Sequence, residues 1–261
     1  WIWFHDQPRE DIAPVLRDIG CDPSKPYIAM LTSVVWDAQL HYKANAFPAM
    51  MDWICKTVSY WAMRKDDLQL VIRVHPAEVR GAVPSRQRVI DELNKYFPAL
   101  PKNVFILAPD NQASTYALGE HANGVIIYNT KTGVEMTAMG VPVIVAGEAW
   151  VRGKGFTEDA TSSEQYFSLL DNLPYRCGMT EEQRLRARAY AYHFFFRRMI
   201  PLPFIHPVGD VGFEVRLESP SSLAPGYYPG LDAICDGIMY QTPFIYPAES
   251  LADPFPGEMA A

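Results

Sequence analysis

The sequence predicts an α/β fold, a parallel sheet with helices on both faces, and three observations predict it. Short apolar runs of strand length recur between residues 27 and 146, stretches with helical spacing separate them, and polar turns follow the strand ends. The most specific stretch is Gly124–Ala160. There an apolar strand (Val125–Tyr128) ends in the turn Asn129-Thr130-Lys131-Thr132-Gly133. A helix starts at that turn, Gly140 stops it, and a second strand (Pro142–Ala146) follows. Strand, phosphate-sized turn, helix and strand make half of a Rossmann-like nucleotide-binding unit.

The remaining elements follow in order. Asp11–Ile19 is modestly amphipathic and is broken by Gly20 and Pro23, so residues 1–26 read as a connector and helix. Tyr27–Leu31 is a short buried strand opening onto Thr32-Ser33. Ala46–Arg64 has apolar residues near helical spacing (Phe47, Met50, Met51, Ile54, Val58, Trp61) and predicts a long helix. Leu68–Val74 is the second strand, ending at His75-Pro76. Arg86–Tyr96 is a helix, Val104–Leu107 the third strand and Ser114–His121 a helix. Beyond Ala160 the alternation fades. Ser162–Asn172 and the arginine-rich Thr180–Met199 read as helices. Residues 201–261 read as an irregular, Pro-rich extension with one helix at Leu231–Met239. The expected organisation is therefore a connector and helix over 1–26, a Rossmann-like nucleotide-binding domain over 27–200, and the extension 201–261.

The bulk properties narrow the function. Of 261 residues, 49% are hydrophobic, enough for a sizeable core. A net charge of −7 argues against a nucleic-acid binder, which carries a basic balance. Cys21, Cys55, Cys177 and Cys235 are far apart with no CxxC pair, which fits free thiols in a reducing cytoplasm. No apolar run approaches the ~20 residues of a membrane span. The chain opens without methionine on Trp1-Ile2-Trp3-Phe4, which reads as the continuation of an earlier part.

The chemistry-bearing residues cluster at the predicted strand ends, where open α/β sheets bind ligands. Unpaired N–H groups at the start of the helix after Asn129, with Thr130, Lys131, Thr132 and Gly133, are expected to form an anion cradle. Glu135, one turn in, suits a ribose hydroxyl pair. In Arg73-Val74-His75-Pro76, Pro76 biases His75 towards an extended conformation at a strand end, where its imidazole can donate to a phosphate oxygen. A histidine that merely caps the turn is the alternative. Thr32 and Ser33 either add donors near the phosphate or cap a loop. Arg152-Gly153-Lys154-Gly155 pairs two cations with glycines that admit close backbone approach, so Arg152 and Lys154, with Arg73, are expected at an anionic sugar or its phosphate. Gly147-Glu148 stands in the same loop region, for which a flexible surface loop is the alternative, and Asp110-Asn111-Gln112 is either an ordinary loop, the favoured reading, or placed for base or ribose contacts. Asp37 and His41 alone make no metal site, no Asp-x-Asp motif occurs, and no metal is expected. Arg184–Met199 carries five arginines among tyrosines and phenylalanines. Its aromatics wrap more than one face, which favours packing between a sheet and a partner domain, with Arg197-Arg198 left to reach a membrane or an acidic acceptor.

RVHPAE (Arg73–Glu78), YNTKTGVEMTAMGVPVIVAGEAW (Tyr128–Trp150) and RGKGFT (Arg152–Thr157) resemble segments of bacterial capsule and surface-polysaccharide biosynthesis proteins. The resemblance, over about residues 27–200, is to the C-terminal nucleotide-binding half of GT-B glycosyltransferases of the Kdo-transferase and polysialyltransferase type. It implies a histidine-proline contact to cytidine monophosphate at His75-Pro76, a phosphate turn at Thr130 and Thr132, and a ribose carboxylate at Glu135. It also implies a CMP-linked acidic sugar as donor, a glycan or glycolipid acceptor, no further cofactor, and a cytoplasmic site of action with peripheral inner-membrane contact. Lys131 stands where many relatives have a small hydroxyl residue. The general acid or base of such enzymes lies in an N-terminal domain not found here, so the catalytic residue is unassigned and the fragment is expected to bind the donor without transferring it alone. Three other readings share features of the sequence: a nucleotide-sugar 2-epimerase, a CDP-glycerol-type phosphotransferase, and a non-catalytic module that docks polysaccharide or biosynthetic subunits.

Overall fold

A computed structural model describes residues 11–37, 41–80, 83–175, 178–209 and 212–250. The expectations for Trp1–Phe4 and Cys177 lie outside the described residues. Six parallel strands form one sheet: β1 (Tyr27–Leu31), β2 (Gln69–Arg73), β3 (Val104–Leu107), β4 (Val125–Ile127), β5 (Val143–Val145) and β6 (Glu158–Asp159). Their order is β3-β2-β1-β4-β5-β6, the order of a Rossmann sheet, in which the winding reverses between β1 and β4. Every residue of β1, β2, β4 and β5 is buried, which is why these strands read as continuous apolar runs rather than as alternating ones.

Helices connect the strands: α1 (Ala13–Asp18), α2 (Met50–Met63), α3 (Ala77–Arg80), α4 (Val89–Tyr96), α5 (Thr115–Glu120), α6 (Thr132–Ala138) and α7 (Ser163–Asp171). α2 supplies the bulk of one face. Trp53 and Trp61 are fully buried, each stabilising the packing by about 2–3 kcal/mol through area removed from water. The Trp53 indole donates to the Tyr166 hydroxyl of α7 at 2.9 Å, tying the two helices together inside the core.

The helix at 46–64 starts four residues later than its periodicity suggests. Pro48 biases Phe47 to an extended backbone, and the Ala46 N–H is spent on the Ala146 carbonyl at 3.1 Å. Residues 46–49 thus lie as a strap against the end of β5. The helix expected from Arg86 likewise starts at Val89. Arg88 is extended, and the Val89 N–H donates to the buried Glu78 carboxylate at 3.1 Å.

The chain divides into two compact units, one through Arg188 and one from Ala189 onward. α8 (Glu181–Tyr192) crosses that division and continues as a π-helical turn, His193–Arg197, in which the Arg198 N–H donates to the His193 carbonyl five residues back. Of the aromatics expected to pack between a sheet and a partner domain, Tyr190, Phe194 and Phe195 are half-buried, and Phe194 is in ring contact with both of the others. Ala187 alone is buried along this arginine-rich stretch, and Leu185, Tyr192, Phe196 and Met199 are exposed. Its first half packs through arginine stems, Arg184 lying over Gly140 and Arg186 over Gly155. Local ion pairs, Arg184 with Glu181 and Arg186 with Glu182, hold the guanidinium groups on the surface.

The second unit contains an antiparallel hairpin, β7 (Ile205–Val208) with β8 (Gly212–Val215), and α9 (Pro229–Tyr240). The extension is thus more regular than its composition suggests. Pro207 and the exposure of β8 remove the alternating pattern that announces a half-buried strand.

Candidate functional site

The C-terminal ends of β1 and β4 border the point where strand order reverses, so Thr32, Ser33, Asn129 and Thr130 stand at the expected ligand edge. The Ser33 hydroxyl donates to the Asn129 carboxamide oxygen at 2.7 Å and spans the two strand ends. Thr32 is buried. Its N–H and hydroxyl both donate to the Arg73 carbonyl (3.2 and 3.4 Å), and its Oγ1 accepts from the His75 N–H at 3.1 Å. The pair therefore shapes the floor of the edge.

His75 follows β2 on the same edge. The Ala77 N–H donates to its Nδ1 at 3.1 Å, which fixes the neutral tautomer with the proton on Nε2. Nε2 makes no hydrogen bond to a described residue. Burial, and secondly the Arg73 cation, hold the imidazole pKa below its usual 6.5 against the opposing pull of Asp37. His75 is thus a neutral N–H donor at pH 7.

Arg73 itself does something other than contact an anion. Its guanidinium is 2% exposed and donates to the carbonyls of Ala108 (2.6 Å), Asn111 (3.1 Å) and Ala113 (3.4 Å), with Nε reaching Thr115 Oγ1 at 3.4 Å. It is an internal clamp on the loop after β3. Arg80 reinforces the clamp from outside, donating to Gln112 Oε1 at 3.0 Å and to the Asp110 carbonyl. The candidate base-contacting segment Asp110-Asn111-Gln112 is therefore held in shape by two arginines.

The turn after β4 is also self-satisfied. Thr130 Oγ1 accepts from the Thr132 N–H (3.3 Å), the Thr130 carbonyl accepts from Gly133 (3.2 Å), and the Lys131 carbonyl accepts from Val134 (2.9 Å). The amides at 132–134, expected to be unpaired, are committed to the turn. What the turn turns outward is side chain: Lys131 is exposed, and Thr132 presents a half-buried hydroxyl that accepts from Thr130 at 3.2 Å. Gly133 is required for packing, since a Cβ there would stand 2.6 Å from Ile127 Cδ1. Glu135 is half-buried in the first turn of α6, and burial, then this nearby carboxylate, push the pKa of the Tyr116 phenol of α5 up to about 12.

After β5, Gly147 admits no side chain because a Cβ would lie 2.6 Å from the Tyr128 carbonyl oxygen. Glu148 accepts from Asn45 of the 41–49 strap at 3.0 Å. Arg152 is drawn inward like Arg73, donating to the carbonyls of Gly147 (3.0 Å), Val145 (3.3 Å) and Ala160 (2.5 Å). Lys154 is exposed. Of the cations expected at the ligand, the structure leaves Lys131 and Lys154 on the surface and turns Arg73 and Arg152 into loop clamps.

Three residues escaped the sequence reading. Glu78 is buried and caps α4, and its position in RVHPAE beside an apolar residue was a usable signal. Asn129 was seen only as part of a turn. Tyr116 had no signal, because its place beside Glu135 depends on two helices meeting. Among the described residues no group of three or more His, Cys, Asp or Glu side chains could hold a metal ion, and no helix is long and apolar enough to cross a membrane. A surface recess bordered by Tyr60, Arg64, Asp66 and Asp171 lies where α2 ends, away from the strand C-termini, and shares no residue with this edge.

The family profile described as capsule polysaccharide biosynthesis protein matches residues 17–173, from α1 to the end of α7 and over all six strands of the sheet. The chain belongs to that family. Among solved structures, the β-Kdo 2,7 transferase of KpsC from Thermosulfurimonas dismutans is 22% identical over 63% of this chain and 44% of its own, with a TM-score of 0.39. The β-Kdo 2,4 transferase of the same protein is 15% identical over 72% of this chain and 58% of its own, at a TM-score of 0.40. The S. aureus MnaA–UDP co-structure is 15% identical over 71% of this chain and 44% of its own, at 0.44. These are distant likenesses, and the chain spans less than two thirds of the length of each. Among curated proteins none matches the chain.

Proposed function

We propose that this family member is the donor-binding half of a glycosyltransferase in capsule polysaccharide synthesis, and that its donor is an acidic sugar carried on cytidine monophosphate. The observation that carries the reading is His75. A neutral imidazole with Nδ1 occupied by the Ala77 amide offers Nε2–H at the strand edge where this fold binds nucleotides. Membership of the capsule family supplies the biological setting.

In this reading His75 donates to the nucleotide phosphate, the Lys131 ammonium and Thr132 hydroxyl meet it from the turn after β4, and Glu135 takes the ribose. As the bond from the sugar's anomeric carbon to the phosphate oxygen breaks, its electron pair goes to the leaving phosphate. The growing charge is stabilised by the imidazole N–H and the ammonium, a metal-independent arrangement of preset donors. The acceptor, a glycan or glycolipid, and the general base come from a second domain. The reaction takes place in the cytoplasm, with peripheral contact at the inner membrane.

Calorimetric titration with CMP, CDP and UDP, repeated on His75→Ala and Lys131→Ala, tests this. Selective cytidine binding weakened about tenfold or more in both variants is the expected result. Preference for UDP would replace the donor assignment, and absence of nucleotide binding would overturn the reading.

A further inference from the structure

Trp36 sits in a turn just beyond β1, in which the Asp37 N–H donates to the Val34 carbonyl at 3.3 Å. Its indole Nε1–H donates to the Ser85 hydroxyl at 2.9 Å. Ser85 is buried, its own N–H donates to the Glu78 carbonyl (3.1 Å), and the Glu78 N–H donates to the His75 carbonyl (3.0 Å). Three hydrogen bonds in series thus fix the indole to the segment that carries His75. A separate observation puts the same turn beside the imidazole: the Asp37 carboxylate pulls the His75 pKa upward, against burial and the Arg73 cation. Trp36 nonetheless remains 44% exposed. A tryptophan at a surface commonly packs its apolar body inward and keeps the N–H at the wet end. Trp36 has the reverse arrangement. Its polar end is spent on a buried hydroxyl, and apolar ring surface is left in water at the edge where β1 and β2 end.

We propose that Trp36 is the platform on which the base of the nucleotide stacks. The proposal rests on the nucleotide reading given above, in which His75 holds the phosphate. A nucleotide gripped there carries its base one ribose away, and Trp36 is an aromatic residue tied by hydrogen bonds to that same segment. A planar base laid on a planar indole removes apolar surface of both from water, and every base has a π-face to offer. With Nε1 already committed to Ser85, Trp36 contributes ring area and no hydrogen-bond donor. The tether also holds the ring in one orientation before the ligand arrives, so little side-chain freedom is lost on binding.

The full chain, Trp36→Ala and Trp36→Phe are titrated by calorimetry with CMP, and with ribose 5-phosphate, which lacks the base, by displacement of CMP. Thermal melting checks folding. Trp36→Ala is expected to weaken CMP binding about tenfold or more and to leave ribose 5-phosphate unchanged. Trp36→Phe, which keeps an aromatic face without the indole N–H, is expected to hold CMP within about threefold of the natural chain. In fluorescence, CMP is expected to quench part of the emission of the chain's six tryptophans, and that part is expected to be missing from Trp36→Phe at saturating CMP. Equal weakening of both ligands in Trp36→Ala would mean that the residue only props the His75 segment, and would overturn the proposal. A loss in Trp36→Phe as large as in Trp36→Ala would assign the effect to the indole N–H and overturn it too. Undiminished CMP affinity in Trp36→Ala, or a quench that survives in Trp36→Phe, would overturn it and leave the nucleotide reading standing. No binding of CMP to the natural chain would overturn the nucleotide reading and this proposal together.

Discussion

The Ser33 hydroxyl and the Asn129 carboxamide oxygen meet at 2.7 Å and join the ends of β1 and β4 across the point where strand order reverses. Two adjacent strands whose crossovers leave in opposite directions have no connecting segment of their own to fix the gap between their ends. The parallel ladder pairs them as far as Leu31 and Ile127, and this hydrogen bond carries the tie two residues further. Ser33→Ala is expected to lower stability by about 1 kcal/mol, the net worth of a hydrogen bond in a largely buried place, and to weaken nucleotide binding severalfold. Thermal melting and calorimetry on the same preparation check both. Reduced stability with unaltered CMP affinity would show that the spacing of these strand ends does not shape the ligand site.

Glu78 offers a sharper test of how the edge is held. Its carboxylate is fully buried and caps α4 through the Val89 N–H, and burial raises its pKa above the ordinary 4.5 despite that hydrogen bond. A raised carboxyl pKa means that stability is greatest with the group protonated and is lost as pH rises through the folded-state value. Glu78→Gln keeps the acceptor and discards the charge, so it is expected to equal or exceed the natural chain in stability at pH 7. The advantage should shrink as pH falls towards 4.5, where the natural side chain also becomes neutral. Glu78→Ala loses the cap and is expected to cost about 1–2 kcal/mol. Denaturant unfolding of the three proteins at several pH values would settle the order, and a Glu78→Gln variant weaker at pH 7 would refute it.

His75 makes an opposite prediction about pH. With its pKa held below 6.5, the imidazole is neutral from pH 7 to 8, and its Nε2–H donates without carrying charge. Nucleotide affinity is therefore expected to stay level between pH 7 and 8, where the phosphate monoester is already a dianion (second pKa about 6). A site needing imidazolium would lose about tenfold in affinity over that unit of pH. Stability follows the same shift: the depressed pKa contributes stability above pH 6.5 that is lost as pH falls below it. His75→Gln should unfold with less acid sensitivity in that window.

How far these features were legible in the sequence varies with their physical cause. The strands were readable because burial on both faces leaves an uninterrupted apolar run, as in Leu68–Val74, and because glycine and proline punctuate each turn. The edge of the sheet was readable for the same reason, since every polar turn followed a strand. The direction of individual side chains was less so. Arg73 between Ile72 and Val74 sits within a wholly buried strand, and that placement was the available sign that its guanidinium would be spent inside. The hairpin β7–β8 was hidden by Pro207 and by its exposure. The proximity of Tyr116 to Glu135 was hidden because it exists only once α5 and α6 have packed.

The cations divide by where their charge goes, and the division is measurable. Arg73 and Arg152 each satisfy three backbone carbonyls that no other described side chain serves. Truncating the buried Arg73 leaves the Asn111 and Ala113 carbonyls without their guanidinium partner, while the Ala108 carbonyl keeps the Asn111 N–H, so Arg73→Ala is expected to cost about 2–3 kcal/mol. Arg152 is only half-buried, water can replace part of what it gives, and Arg152→Ala should cost less. Lys131 is exposed at the N-cap position of α6 but its side chain makes no cap hydrogen bond, so Lys131→Ala is expected to cost less than either arginine truncation, about 1 kcal/mol at most. In the proposed donor site its larger effect is expected in binding, as the loss of one positive charge beside the nucleotide phosphate. Urea unfolding of the three variants alongside CMP titration separates the two roles. An Arg73→Ala protein of undiminished stability that binds CMP weakly would return that guanidinium to the ligand.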